Sequence, residues 1–176
     1  MEPMAARPVL VLFMILLAPG ARAQIVLERT PCFGMCPAYR LEVRPDGSVM
    51  FTGLNRFAAA SGTKHLARGT VDSLTTALLQ SGLTALPDST FRGSPGCRAW
   101  GTDSPSIVLR VTSGLQTKTV AYDLGCSGDS LPSDWVGMEA MLSHPPVSRV
   151  LIERLAAVVD SVVGVRDWIR TPLLHR

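Results

Sequence analysis

The spacing of apolar and polar positions divides this chain into short strands and two helices. Tyr39, Leu41 and Val43 alternate with Arg40, Glu42 and Arg44, the period of two expected of a strand with one buried and one wet face. Pro45-Asp46-Gly47-Ser48 then reads as a turn. Proline presets φ, aspartate bonds its own backbone, and glycine takes the left-handed position. Val49-Met50-Phe51-Thr52 returns as the second arm of a hairpin. Ile25–Arg29 is a strand candidate before it, and Thr63–Arg68 a weaker one after it. Ile107, Leu109 and Val111 alternate again, Ser113-Gly114 turns the chain, and Thr117–Tyr122 comes back as a second hairpin. The pattern predicts an antiparallel sheet of about six strands.

Two segments carry the helical period instead. In the first, Thr70 is the expected N-cap and Asp72 complements the helix dipole. Val71, Leu74, Ala77 and Leu78 make the stripe, and Gly82 is the stop. Leu83, Leu86 and Phe91 are expected to tuck back onto the core around Pro87-Asp88. The second helix starts at Pro145-Pro146 and runs to about Val163, with Val147, Val150, Leu151, Leu155, Val158 and Val162 on one face. Gly164 ends it, and Val165–Ile169 docks through Trp168. Trp135 and Trp168, with their apolar neighbours, read as core. There is no internal repeat, and the fold class is a single α+β domain over residues 24–176.

The first residues carry neither period. Arg7 precedes an apolar run from Val9 to Ala18, and Ala21-Arg22-Ala23 places small residues where a signal peptidase reads them. Cleavage is expected after Ala23, and the run is shorter than the ~20 residues of a membrane span. The expectation is an exported protein, periplasmic or extracellular, with no membrane span once residues 1–23 are gone. Losing Glu2, Arg7 and Arg22 takes the 17 basic and 14 acidic residues to 15 and 13. That balance, with lysine and arginine scattered along the chain, is too even to argue for nucleic acid or an anionic membrane surface as partner, and no nucleic-acid partner is expected.

All four cysteines, Cys32, Cys36, Cys97 and Cys126, lie beyond the leader, an even number that reads as two disulfides in an exported chain. Cys97 precedes the second hairpin and Cys126 follows it, so both emerge at its open end and are expected to pair. Cys32 then pairs with Cys36. A five-residue ring contributes only about 2 kcal/mol by chain entropy, against about 3–4 kcal/mol for a 30-residue loop, so the small ring shapes a turn more than it stabilises the fold. The alternative is chemical. Cys32 and Cys36 with Met35 between them would suit a soft ion such as Cu(I), or thiol exchange. Against it, the motif runs into an alternating strand and not a helix N-terminus, which is where a thiol pKa is usually lowered.

Other chemistry is sparse. His65, His144 and His175 are not spaced as ligands, and neither a Gly-x-Ser-x-Gly elbow nor a His-Glu-x-x-His helix is present. Gly93-Ser94-Pro95-Gly96 lacks the lysine and helix of a phosphate loop. Asp103 and Asp123 flank the second hairpin, where turn and cap roles account for them. No catalytic residue, resident metal or cofactor is expected. The one candidate binding surface is the long loop carrying Arg98, Trp100 and Asp103, where a tryptophan either anchors a partner or plugs the sheet end.

Several of these residues together resemble a known family. They are Thr30-Pro31-Cys32-Phe33-Gly34-Met35-Cys36-Pro37-Ala38-Tyr39, the Asp46-Gly47 turn, Thr102-Asp103-Ser104-Pro105 entering a strand, Lys118-Thr119-Val120, and the late helix closing on Trp168-Ile169. This combination resembles the exported bacterial proteins grouped as domain of unknown function 6438. The resemblance implies export and an α+β domain, and it brings no established activity. It also implies that Cys97 and Cys126, present in only part of the family, are a local staple and not a signature. The expected function is therefore a non-catalytic binding domain of the cell envelope or exterior, its partner a protein or envelope component. The alternative is a thiol-redox or copper protein working through Cys32, Cys36 and Met35.

Overall fold

The structure, a computed structural model, describes residues 24–127 and 147–170. The leader, Trp135, His144, the Pro145-Pro146 helix start and His175 lie outside the described residues. Strands β1 (Gln24–Arg29), β2 (Tyr39–Val43), β3 (Ser48–Gly53) and β4 (Ser61–His65) precede helix α1 (Arg68–Gln80). After a 3-10 turn at Leu83–Ala85 come β5 (Ser89–Thr90), β6 (Ala99–Trp100), β7 (Ser106–Ser113), β8 (Gln116–Asp123) and β9 (Cys126–Ser127). Helix α2 (Val147–Val163) and a 3-10 turn at Val165–Trp168 close the described chain.

The fold is α+β. Its seven-stranded sheet runs β4-β3-β2-β1-β7-β8-β5, one strand more than the alternation predicts, and β6 pairs with β9 in a separate ribbon. The pairings are antiparallel except β5 with β8, which is parallel. Both hairpins form as expected, and β1 joins them by pairing with β2 on one side and β7 on the other.

Alternation then sorts the faces. Ile25, Leu27, Leu41, Val43, Phe51, Ile107, Leu109, Val111, Val120 and Tyr122 are buried beneath the helices. The opposite face carries Arg40, ion-paired to Glu28 at 3.1 Å and Glu42 at 3.0 Å, and exposed Met50, Thr52 and Arg110. Trp168 packs where the reading put it, stacked on Phe51 at 4.9 Å, with Phe51 stacked on Tyr39 at 5.3 Å. Gly62 is required beneath it, because a Cβ there would collide with the Trp168 indole.

Four local expectations are corrected. Strand β4 covers Ser61–His65 and not Thr63–Arg68, because Leu66 bonds Gly47 O at 2.8 Å and the chain turns into α1 directly afterwards. Helix α1 therefore begins ahead of Thr70, behind an extended Ala67 with no side-chain cap, and Asp72 falls outside its first turn. Phe91 is exposed because Thr90 takes the inward position on β5. On α2 the buried face is Ile152, Leu155, Ala156, Val159 and Val163, while Val150, Val158 and Val162 are more than a third exposed. The helix is apolar on two adjoining stripes. Packing selects the one rotated by about 100°, a single residue step, which brings Asp160 over the sheet end.

Candidate functional site

One end of the sheet gathers most of the residues singled out above. Chain leaving β1 is fixed to the start of β7 by Thr30 N–H to Ser106 O (3.0 Å) and Ser106 N–H to Thr30 Oγ1 (2.7 Å). Cys32 and Cys36 are disulfide-bonded with Cα atoms 5.7 Å apart, closing a small ring. Phe33 N–H donates to Asp103 O at 3.1 Å, and Gly34 N–H to Cys32 O at 3.0 Å. The Thr30–Tyr39 and Thr102–Pro105 motifs, far apart in sequence, thus brace each other. The far side of the ring is held by Asn55. Its Nδ2 donates to Cys36 O at 2.7 Å, and its Oδ1 accepts from Ala38 N–H at 3.2 Å and Phe57 N–H at 3.1 Å. With its ends tied down, the ring presents Phe33, 88% exposed, and Met35, 56% exposed.

The second disulfide has a different setting. Cys97 and Cys126 are bonded as expected, and both are buried in the core. The bond fastens the β6–β9 ribbon, in which Trp100 faces Cys126. Trp100 is half-buried; its Nε1 donates to Asp123 Oδ2 at 2.7 Å, and the Arg92 guanidinium lies 4.9 Å from its ring centroid. Asp123 Oδ1 accepts from Gly125 N–H at 2.8 Å. Asp103 is exposed and adopts a left-handed conformation, φ 68°, which aspartate tolerates better than most residues. The two carboxylates therefore serve separate turns. Arg98 is exposed at the start of the ribbon.

Beside the ring, Pro37 leads to a groove of about 720 Å³ walled by Tyr39, Ala157, Val165 and Ile169. Arg29 Nε donates to Tyr39 Oη at 2.9 Å, Arg29 Nη2 to Asp160 Oδ2 at 2.8 Å, and Tyr39 Oη to Asp160 Oδ1 at 2.6 Å. Burial, then the Asp160 charge, pushes the Tyr39 phenol far above the ordinary tyrosine range, with Arg29 opposing. For Arg29 burial disfavours the cation, but Asp160 and Tyr39 outweigh it and hold the guanidinium above its usual value. The sequence reading missed this network, and it missed Asn55. The β2–β3 register, which sets Tyr39 opposite Gly53, is the signal that places residues 54–57 beside the ring.

A titration follows. The chain has two tyrosines, and burial also raises Tyr122. Groups raised on folding favour the folded state below the unfolded tyrosine pKa of about 10, and that contribution is lost as pH climbs above it. Tyrosinate absorbance of the native protein should therefore rise at higher pH than that of the unfolded chain, with the Tyr39 share appearing last. Ionisation of both tyrosines at the ordinary value in the folded protein would contradict the network.

As for the soft-ion alternative, the Cys32 and Cys36 sulfurs are bonded to each other, so Cu(I) ligation with Met35 would first require reduction. Pro37 leads into β2, where a thiol would gain no helix dipole. Among the described residues no three His, Cys, Asp or Glu side chains cluster as a metal site.

The sequence profile of the family described as domain of unknown function (DUF6438) matches residues 23–141, about two thirds of the chain. The chain belongs to this family. No curated protein matches it. The DUF6438 region holds both disulfides, Asn55, the Thr102–Pro105 turn, Arg29 and Tyr39. Asp160 and Trp168, which complete the ion network and the aromatic stack, lie beyond it. Among the described residues no helix is long and apolar enough to cross a membrane.

Proposed function

We propose that this DUF6438 protein is an exported, disulfide-stapled binding domain that makes contact through the sheet end bearing the Cys32–Cys36 ring and performs no catalysis. The observation that carries this reading is the exposure of Phe33, 88%, on a ring tied down at both ends. A large apolar side chain held in water on a stiff support gains most by being covered, and it loses little entropy when it is. Asp103 is part of this proposed surface, since Asp103 O accepts from Phe33 N–H, and Arg98 extends it along the β6–β9 ribbon. Trp100 is engaged with Asp123 and Arg92 in the adjoining ribbon. Export is supported by the leader pattern and by two disulfides.

The test is a benzophenone side chain at position 33, photoactivated in cells making the full chain, with the same group at Leu115 as control. Leu115 is 96% exposed at the β7–β8 turn, the opposite end of the sheet. A discrete adduct from position 33 and none from 115 is the expected result. No adduct from an exported, folded protein removes the proposed surface.

A further inference from the structure

Arginines that are scattered in sequence are collected by the fold. Arg56 lies in the loop that clamps the ring, stacked on Phe57 at 4.9 Å, and Arg170 N–H bonds Phe57 O. Arg166 lines the groove next to Pro37. Arg98 opens the ribbon, and Arg92 covers Trp100. All five are exposed, and none has a carboxylate partner among the described residues. Of the acids at this end, Asp160 is taken by Arg29, Asp123 by Trp100 and Gly125, and Asp167 by Lys64 at 3.8 Å. Among the described acids at this end, Asp103 is the one left to oppose them. Leu54, 45% exposed beside Asn55, joins Phe33 and Met35 in the apolar tip.

From this we infer that the sheet end docks on an anionic lipid surface, with Phe33, Met35 and Leu54 entering the interface and the arginines meeting headgroup phosphates. The inference deepens the binding reading and rests on it. Charge complementarity sets the sign of the partner. The form of the tip sets its class: these three side chains offer no hydrogen-bond donor, and they are exposed on loops that leave the strand ends. A fluid hydrocarbon layer accepts such a tip without a matching recess, while guanidinium groups pair with phosphate. Basic residues near an anionic leaflet add attraction that salt screens.

The protein is purified in its processed form, its N-terminus read by mass spectrometry. It is then floated with vesicles of phosphatidylcholine alone or phosphatidylcholine containing phosphatidylglycerol. Binding to the anionic vesicles only, released by high salt, is expected. Phe33→Ser should weaken it about tenfold, Arg56→Glu with Arg170→Glu at least as much, and Leu115→Ser not at all. These positions are exposed, so near-UV circular dichroism should confirm an unchanged fold. Equal binding to both vesicle types, or binding indifferent to Phe33→Ser and the charge reversals, overturns the inference. Should position 33 cross-link only to polypeptide while vesicles are ignored, the lipid surface falls and the binding reading survives. An unprocessed N-terminus would count against export alone.

Discussion

Replacing Cys97 and Cys126 together by serine should lower the unfolding free energy by about 3–4 kcal/mol, the chain-entropy value for a loop of this length. The sequence separation is 29, and the bond closes the long loop and the second hairpin into one ring. Its chemistry adds to the loss. Cys126 is fully buried and Cys97 nearly so, hence two hydroxyls would replace a disulfide in the core, where a polar group without a partner is costly. The β6–β9 ribbon would lose its fastening, and with it the placement of Trp100 over Asp123. The same change at Cys32 and Cys36 should cost about 2 kcal/mol at most, since Thr30, Asp103 and Asn55 hold the chain on either side of that ring independently of the sulfurs. Equilibrium urea unfolding of both double variants checks this. Equal losses, or a larger loss at the small ring, would mean that the two bonds do not divide the work as their burial indicates.

That division was legible in the sequence, because disulfide pairing depends on topology and the second hairpin announces its own open end. Alternation in Ile107–Val111 and Thr117–Tyr122 is a local property, and so is the Pro45–Ser48 turn. The sheet order is not local. Nothing in Ile25–Arg29 states that this strand stands between the two hairpins; it does so because its inward residues Ile25 and Leu27 meet apolar neighbours on β2 and β7 alike. Strands of two residues, such as β5, are too short to show a period at all. The choice between the two stripes of α2 likewise rests on what faces it, not on its own spacing. For the site, the sequence marked the cysteine loop and the Arg98–Asp103 loop. Their contact through Phe33 and Asp103, the Asn55 clamp and the gathering of arginines all required three-dimensional neighbours.

Asp160→Ala is expected to be nearly as damaging as the loss of the buried disulfide. Removing one member of a buried ion pair leaves the other charge desolvated without compensation, which costs 3–5 kcal/mol in fully buried cases. Here the Arg29 and Asp160 side chains keep 25% and 21% exposure, so water recovers part of that cost. A loss of about 2–3 kcal/mol is the expected outcome on those grounds. The change strands Arg29 and removes the acceptor of the Tyr39 hydroxyl together. Two further measurements separate this cause from simple loss of packing on α2. Replacing Arg29 by leucine in the same chain should restore part of the stability, because the unpaired cation is gone; a double-mutant cycle with no coupling would assign the effect elsewhere. The Tyr39 phenol should also ionise at lower pH in Asp160→Ala, since the carboxylate is one of the two main causes that raise it, while burial keeps it above an ordinary tyrosine. Because Asp160 lies outside the DUF6438 match and Arg29 and Tyr39 inside it, coupling of this size would show that the family region and the terminal helix unfold as one unit.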